Sequence, residues 1–181
     1  MSTQGKETAS FEEMLDRNGY LAYTNVGVSM MPLLRQGKDV MEIRKKGPQR
    51  CKKYDAVLYK VNDRYILHRI IKVREKDYVI VGDNCFRKEY GIADDQILGV
   101  LTGIVRDGKH ISVTDKKYLC YVHIWCDFYP IRAGILYGRA QLGRVKSKLV
   151  RMIRRVLKER YFLRHRHDRQ RNGQAVFHRK E

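Results

Sequence analysis

Between residues 39 and 105 the chain alternates short apolar runs with turn signals. The runs are Asp39 to Ile43, Asp55 to Val61, Tyr65 to Val73, Tyr78 to Gly82 and Gln96 to Val105, rich in β-branched and aromatic residues. Such runs predict strands. Gln36-Gly37-Lys38, Lys46-Gly47-Pro48, Asn62-Asp63, Gly82-Asp83-Asn84 and Arg106-Asp107-Gly108 bound them. These residue types reverse a chain because they supply positive φ, a fixed φ or a local side-chain hydrogen bond. Short strands with tight connections predict a mainly β, barrel-like domain. Ahead of it, Thr8 to Asn18 places Phe11, Met14 and Leu15 at helical spacing before Gly19, which predicts a short leading helix. Behind it, Leu142, Val145, Leu149, Ile153 and Val156 recur every three or four residues among arginines and lysines, as on one face of an amphipathic helix. From Arg164 onward too few apolar residues remain to bury, so disorder is expected. The resulting division is a leading helix over 1–20, a β domain over 21–115, an aromatic and then basic helical extension over 116–163, and a tail over 164–181.

Composition adds a partner class. The 181 residues carry 38 Lys and Arg against 20 Asp and Glu, a net charge of +18, while 43% apolar content is enough for a core and excludes disorder throughout. From Arg139 to the end, 15 basic residues face 3 acidic ones, so the basicity belongs mainly to the tail. A polyanion is the expected neighbour. Cys51, Cys85, Cys120 and Cys126 form no C-x-x-C pair, so neither a disulfide scaffold nor a zinc site is indicated, and a reducing compartment fits. The first residues contain acids and no apolar run, which predicts no cleavable signal peptide and a cytoplasmic location. Tyr118 to Gly138 comes nearest to a membrane span, but Asp127, Pro130 and Arg132 interrupt it.

Three segments carry candidate chemistry. Ser29 lies between Gly27 and Pro32, at a position where its hydroxyl sits in a turn and not in a strand ladder. His68, within a strand whose other members are apolar or long, belongs to the side-chain type whose unperturbed pKa is about 6.5 and is a candidate base for the Ser29 proton. Asp83, in the turn Gly82-Asp83-Asn84, is a candidate to orient the imidazole and stabilise it once protonated. Taken singly, each also fits an ordinary turn serine, a half-buried strand histidine and a hairpin aspartate.

In this order Gly27-Val28-Ser29-Met30-Met31-Pro32, Asp55-Ala56-Val57-Leu58-Tyr59, His68-Arg69-Ile70 and Gly82-Asp83-Asn84 resemble the type I signal peptidase and LexA-type serine peptidase superfamily, over about Val26 to Ile104. The histidine in the second box, where other members use lysine, resembles the archaeal and endoplasmic-reticulum branch, in a compact form without an amino-terminal membrane anchor. The resemblance implies a signal-peptidase-like β-barrel catalytic domain and a serine endopeptidase that forms an acyl-enzyme on Ser29 with His68 as base. It also implies acids at Asp39 and Asp55 beside family strands, and substrate contacts at Met30, Met31 and Pro32. The branch places its third catalytic acid six residues after the Gly-Asp acid, where this chain has Glu89, so both Asp83 and Glu89 stand as the third member. No cofactor or metal is implied.

Two readings of the extension stay open. Tyr118 to Gly138 is either an extra core helix over the β domain or, with the basic helix through residue 163, a contact with an anionic membrane surface on the cytoplasmic side. Nucleic acid is the competing polyanion, but the short stretch before Ser29 leaves no room for a helix-turn-helix. Expected partners are therefore a peptide or preprotein substrate and, by the alternative reading, a non-catalytic module held on membrane or RNA by its basic tail. The oligomeric state is not legible.

Overall fold

A computed structural model describes residues 9–177, and the side chains of these except Val156 and 159–177. Helix α1 (Phe11–Asn18) starts at Ser10, whose Oγ accepts the Glu13 N–H at 3.1 Å while its own N–H donates to Glu13 Oε2 at 2.8 Å. This reciprocal cap satisfies two donors that a helix start leaves orphaned. The helix stops at Gly19, which takes φ 69° and donates its N–H to the Leu15 carbonyl at 2.9 Å. Thr8, the expected first residue, lies outside the described residues.

The eight strands are β1 (Tyr20–Thr24), β2 (Val40–Lys45), β3 (Ala56–Val61), β4 (Arg64–Val73), β5 (Asp77–Val81), β6 (Glu89–Ala93), β7 (Ile97–Arg106) and β8 (Lys109–Ser112). They form one antiparallel sheet in the order β1-β2-β7-β3-β4-β5-β6, with β8 on β7. Asn62 and Asp63 (φ 48° and 59°) close the β3–β4 hairpin, and Asp107 and Gly108 (φ 49° and 75°) close β7–β8. Two successive positive φ angles give the turn whose twist matches that of paired strands.

Alternation along the central strand β3 sends Ala56 and Leu58 into one apolar cluster and Val57 and Tyr59 into another, so β3 is buried on both faces. The first cluster also takes Leu15 from α1 and Tyr118, Val122 and Cys126 from α2 (Lys116–Asp127). The expected barrel does not form: among the described residues β1 and β6 end the strand path and do not pair with each other. The helices cover apolar surface that closure would otherwise have to hide.

Tyr118 to Gly138 is not one helix. Phe128 separates α2 from α3 (Tyr129–Phe177), because Pro130 suits the first turn of a new helix but not the interior of an old one. The buried positions of α2 make it part of the core cover. Helix α3 continues through 164–177, in contrast to the disorder expected there; that stretch has no proline and a single glycine to interrupt it. Residues 178–181 lie outside the described residues. The body runs to Leu136, and Tyr137 onward forms a second unit. Among the described residues no helix is long and apolar enough to cross a membrane.

Candidate active site

Neighbouring residues on β4 point to opposite faces of the sheet, and the pair His68-Arg69 uses both. His68 pairs across the hairpin with Val57, which puts Tyr59 diagonally beside it on the same face. There the His68 Nδ1 lies 2.7 Å from Glu89 Oε1 and 3.1 Å from the Tyr59 hydroxyl oxygen, and Tyr59 donates its proton to Glu89 Oε2 at 2.6 Å. With the carboxylate accepting at Nδ1, the proton of the neutral ring belongs on Nδ1 and the lone pair on Nε2. Burial pushes the His68 pKa below the ordinary imidazole value, and the nearby Glu89 and Asp83 carboxylates offset only part of that. Burial and the bond to Glu89 push the Tyr59 hydroxyl up, so it remains a donor.

Arg69 faces the other way and is fully buried. Its Nε and Nη2 grip the two oxygens of the equally buried Asp83 at 2.9 and 2.8 Å, and its Nη1 donates to the Tyr54 carbonyl at 2.9 Å. From α2, Tyr121 donates to Asp83 Oδ2 at 3.0 Å and the Trp125 indole donates to the Asp83 carbonyl at 2.7 Å. Both carboxylate oxygens of Asp83 are thus engaged away from the imidazole. Of the two acids read from the sequence, Glu89 is the one that contacts His68; Asp83 anchors the Gly82-Asp83-Asn84 turn between β4 and α2.

That turn holds the Ser29 segment. The Asn84 N–H donates to the Ser29 carbonyl at 2.7 Å, and Asn84 Nδ2 donates to the Val28 carbonyl at 3.1 Å. Gly82 lies at the meeting point: a Cβ there would stand 2.7 Å from the Ser29 carbonyl oxygen, 2.8 Å from His68 Nε2 and 2.8 Å from Cys85 Sγ. Only a residue without a side chain lets these three groups share so small a space. The free nitrogen of the imidazole and the Ser29 backbone are therefore neighbours. Among the described residues no hydrogen bond joins the Ser29 hydroxyl to His68, and the Ser29 N–H has no acceptor. Burial raises the pKa of the adjacent Cys85, with the Glu89 charge adding to it, so Cys85 stays a thiol at neutral pH.

The other sequence candidates separate. Met30 is 2% exposed and packs in the first apolar cluster, so its side chain belongs to the core and not to a substrate surface. Met31 and Pro32 are exposed beside it. Asp39 is fully buried directly before β2, accepting from Arg35 and Arg106. Asp55 accepts the Lys52 N–H at 2.7 Å in the turn before β3. Tyr59 and Asn84 were not singled out from the sequence as site residues; counting register back from Asn62-Asp63 identifies Tyr59, whereas nothing local marks the Asn84 contact.

The chain matches no family model, and no curated protein is similar to it in sequence. The site therefore rests on its own geometry.

Proposed function

We propose that this protein is a serine endopeptidase of the signal-peptidase and LexA-like type, with Ser29 as nucleophile, His68 as general base and Glu89 as the acid that orients it. The observation that carries this reading is the space at Gly82, shared by the Ser29 backbone and the unprotonated nitrogen of an imidazole whose other nitrogen meets a carboxylate. In the proposed reaction Ser29 Oγ bonds to a peptide carbonyl carbon while its proton passes to His68 Nε2. Glu89 Oε1 and the Tyr59 hydroxyl stabilise the imidazolium. The proton then moves to the leaving amine as the C–N bond breaks. Water attacks the acyl ester, giving its proton to His68, and the ester C–O bond breaks with the proton returning to Ser29. The Ser29 N–H, which meets no acceptor among the described residues, is a donor for the oxyanion, a role worth about 3 kcal/mol in the transition state.

In this scheme Asp83 and Arg69 are positioning residues. They fix the turn whose Asn84 holds the Ser29 carbonyl. The reading is tested by digesting a library of peptides with the purified chain and sequencing new termini by mass spectrometry. Termini that appear with the wild type and vanish with Ser29→Ala and with His68→Ala support it; termini undiminished in Ser29→Ala overturn it.

A further inference from the structure

The second unit raises a separate question, because it exposes apolar side chains that the described residues do not cover. On α3, Leu142, Val145, Leu149, Met152, Ile153 and Leu157 are 47% to 71% exposed. At about 100° per residue they fall within one arc of roughly 140°. Arg144, Lys148, Arg151 and Lys158 occupy the opposite side, Lys146 stands within the arc toward its edge, where a long side chain can reach the headgroups, and from Tyr137 to Lys158 there is no acidic residue at all. Three occupants have to be weighed for this face. A second copy of the helix would match the three-and-four spacing of the stripe but would bring one basic flank against another. RNA would neutralise the flanks yet leave the stripe in water. An anionic lipid surface accepts both, taking the apolar arc below the headgroups and the basic side chains among them.

We propose that α3 from about Leu142 to Leu157 lies in the plane of an anionic membrane surface and holds the protein there. The helix then acts as a reversible anchor and not a span, which agrees with its length and charge. The proposal does not depend on the peptidase reading, since it uses residues of the second unit alone.

The test uses the full chain and co-sedimentation with vesicles of phosphatidylcholine, with or without phosphatidylglycerol, and a gel-filtration run of each variant. We expect binding only when phosphatidylglycerol is present, falling at least about tenfold as salt rises from about 0.05 to 0.5 M. A triple variant, Leu142→Ser, Leu149→Ser and Ile153→Ser, keeps every charge and should lose about tenfold or more in vesicle affinity, while its affinity for single-stranded RNA stays unchanged. These side chains are exposed, so circular dichroism and thermal melting should match the wild type. Wild-type affinity of the triple variant for the mixed vesicles would overturn the proposal, leaving only nonspecific attraction. Equal binding to neutral and mixed vesicles would also overturn it, as would a dimer that the triple variant converts to monomer without any vesicle binding.

Discussion

At the scale of single residues the two acids near His68 do different work, and their variants should separate cleanly. Glu89→Gln removes the charge facing the imidazolium, so kcat is expected to fall on the order of 10⁴-fold with little change in melting temperature. Because the Glu89 carboxylate raises the His68 pKa, the residual activity should titrate at still lower pH than in the wild type. Asp83→Asn instead strips the buried Arg69 of its partner and should cost about 3 to 5 kcal/mol of stability by thermal or urea unfolding. In the wild type, kcat/KM should rise with pH through an apparent pKa below about 6.5, since only the neutral ring accepts a proton. The same shift bears on folding. A histidine whose pKa is lowered in the folded state favours the neutral form, so its contribution is present above about pH 6.5 and is lost as pH falls through the folded value. Sequence reasoning named both acids and could not choose. The choice depends on which face each side chain reaches, and the decisive partner, Arg69, lies one residue from His68 on the opposite face.

At the scale of elements, the turn between β5 and β6 carries the site more than any strand does. Gly82→Ala would push a methyl group against the Ser29 carbonyl, a backbone atom that cannot rotate away. The expected outcome is a loss of about 1 to 3 kcal/mol in stability together with a fall in kcat exceeding that in Cys85→Ala, measured by unfolding and peptide cleavage. Strands β2, β3, β4, β5 and β7 were legible because each buries more than one residue: β2 and β7 alternate, while β3, β4 and β5 carry continuous buried runs. The other three were not. In β1 only Leu21 is buried, in β6 only Ile92, and in β8 none, so these strands at the margins of the sheet carry almost no apolar pattern to read. The open ends of the sheet were illegible for the same reason, since nothing in the pattern of β1 or β6 records which neighbour each will have.

At the scale of the whole molecule, a second buried charge ties the Ser29 loop to the end of β7, beside the start of β2. Asp39 accepts from the Arg35 backbone N–H at 2.8 Å and from Arg106 Nε at 3.1 Å, while Arg106 Nη2 donates to the Leu33 carbonyl at 2.6 Å. Burial pushes the Asp39 carboxyl up, but the bonds from Arg106 and Arg35 outweigh it and hold the pKa at about 2. Its contribution, about 2 kcal/mol, is therefore full above about pH 4 and is lost as pH falls through 2. Acid titration of thermal stability should show that loss in the wild type and not in Asp39→Asn, which starts less stable at neutral pH. The division between a sheet-based body and a basic helix was visible in the charge distribution, because only the first part has enough apolar residues for a core. The place where the body ends, at Leu136, was not, since the first residues of α3 still belong to the body, with Tyr129 donating to the Phe86 carbonyl and the buried Arg132 to the Cys85 carbonyl.

The serine assignment is tested most directly by covalent labelling: the wild-type chain is treated with a fluorophosphonate, which phosphonylates activated serines with loss of fluoride, and the adduct is mapped by mass spectrometry across pH. A single adduct on Ser29 is expected, formed with a rate that rises through the His68 pKa and falls to background in His68→Ala. A folded wild-type protein that gains no adduct on Ser29, or one labelled at the same rate without His68, would contradict it.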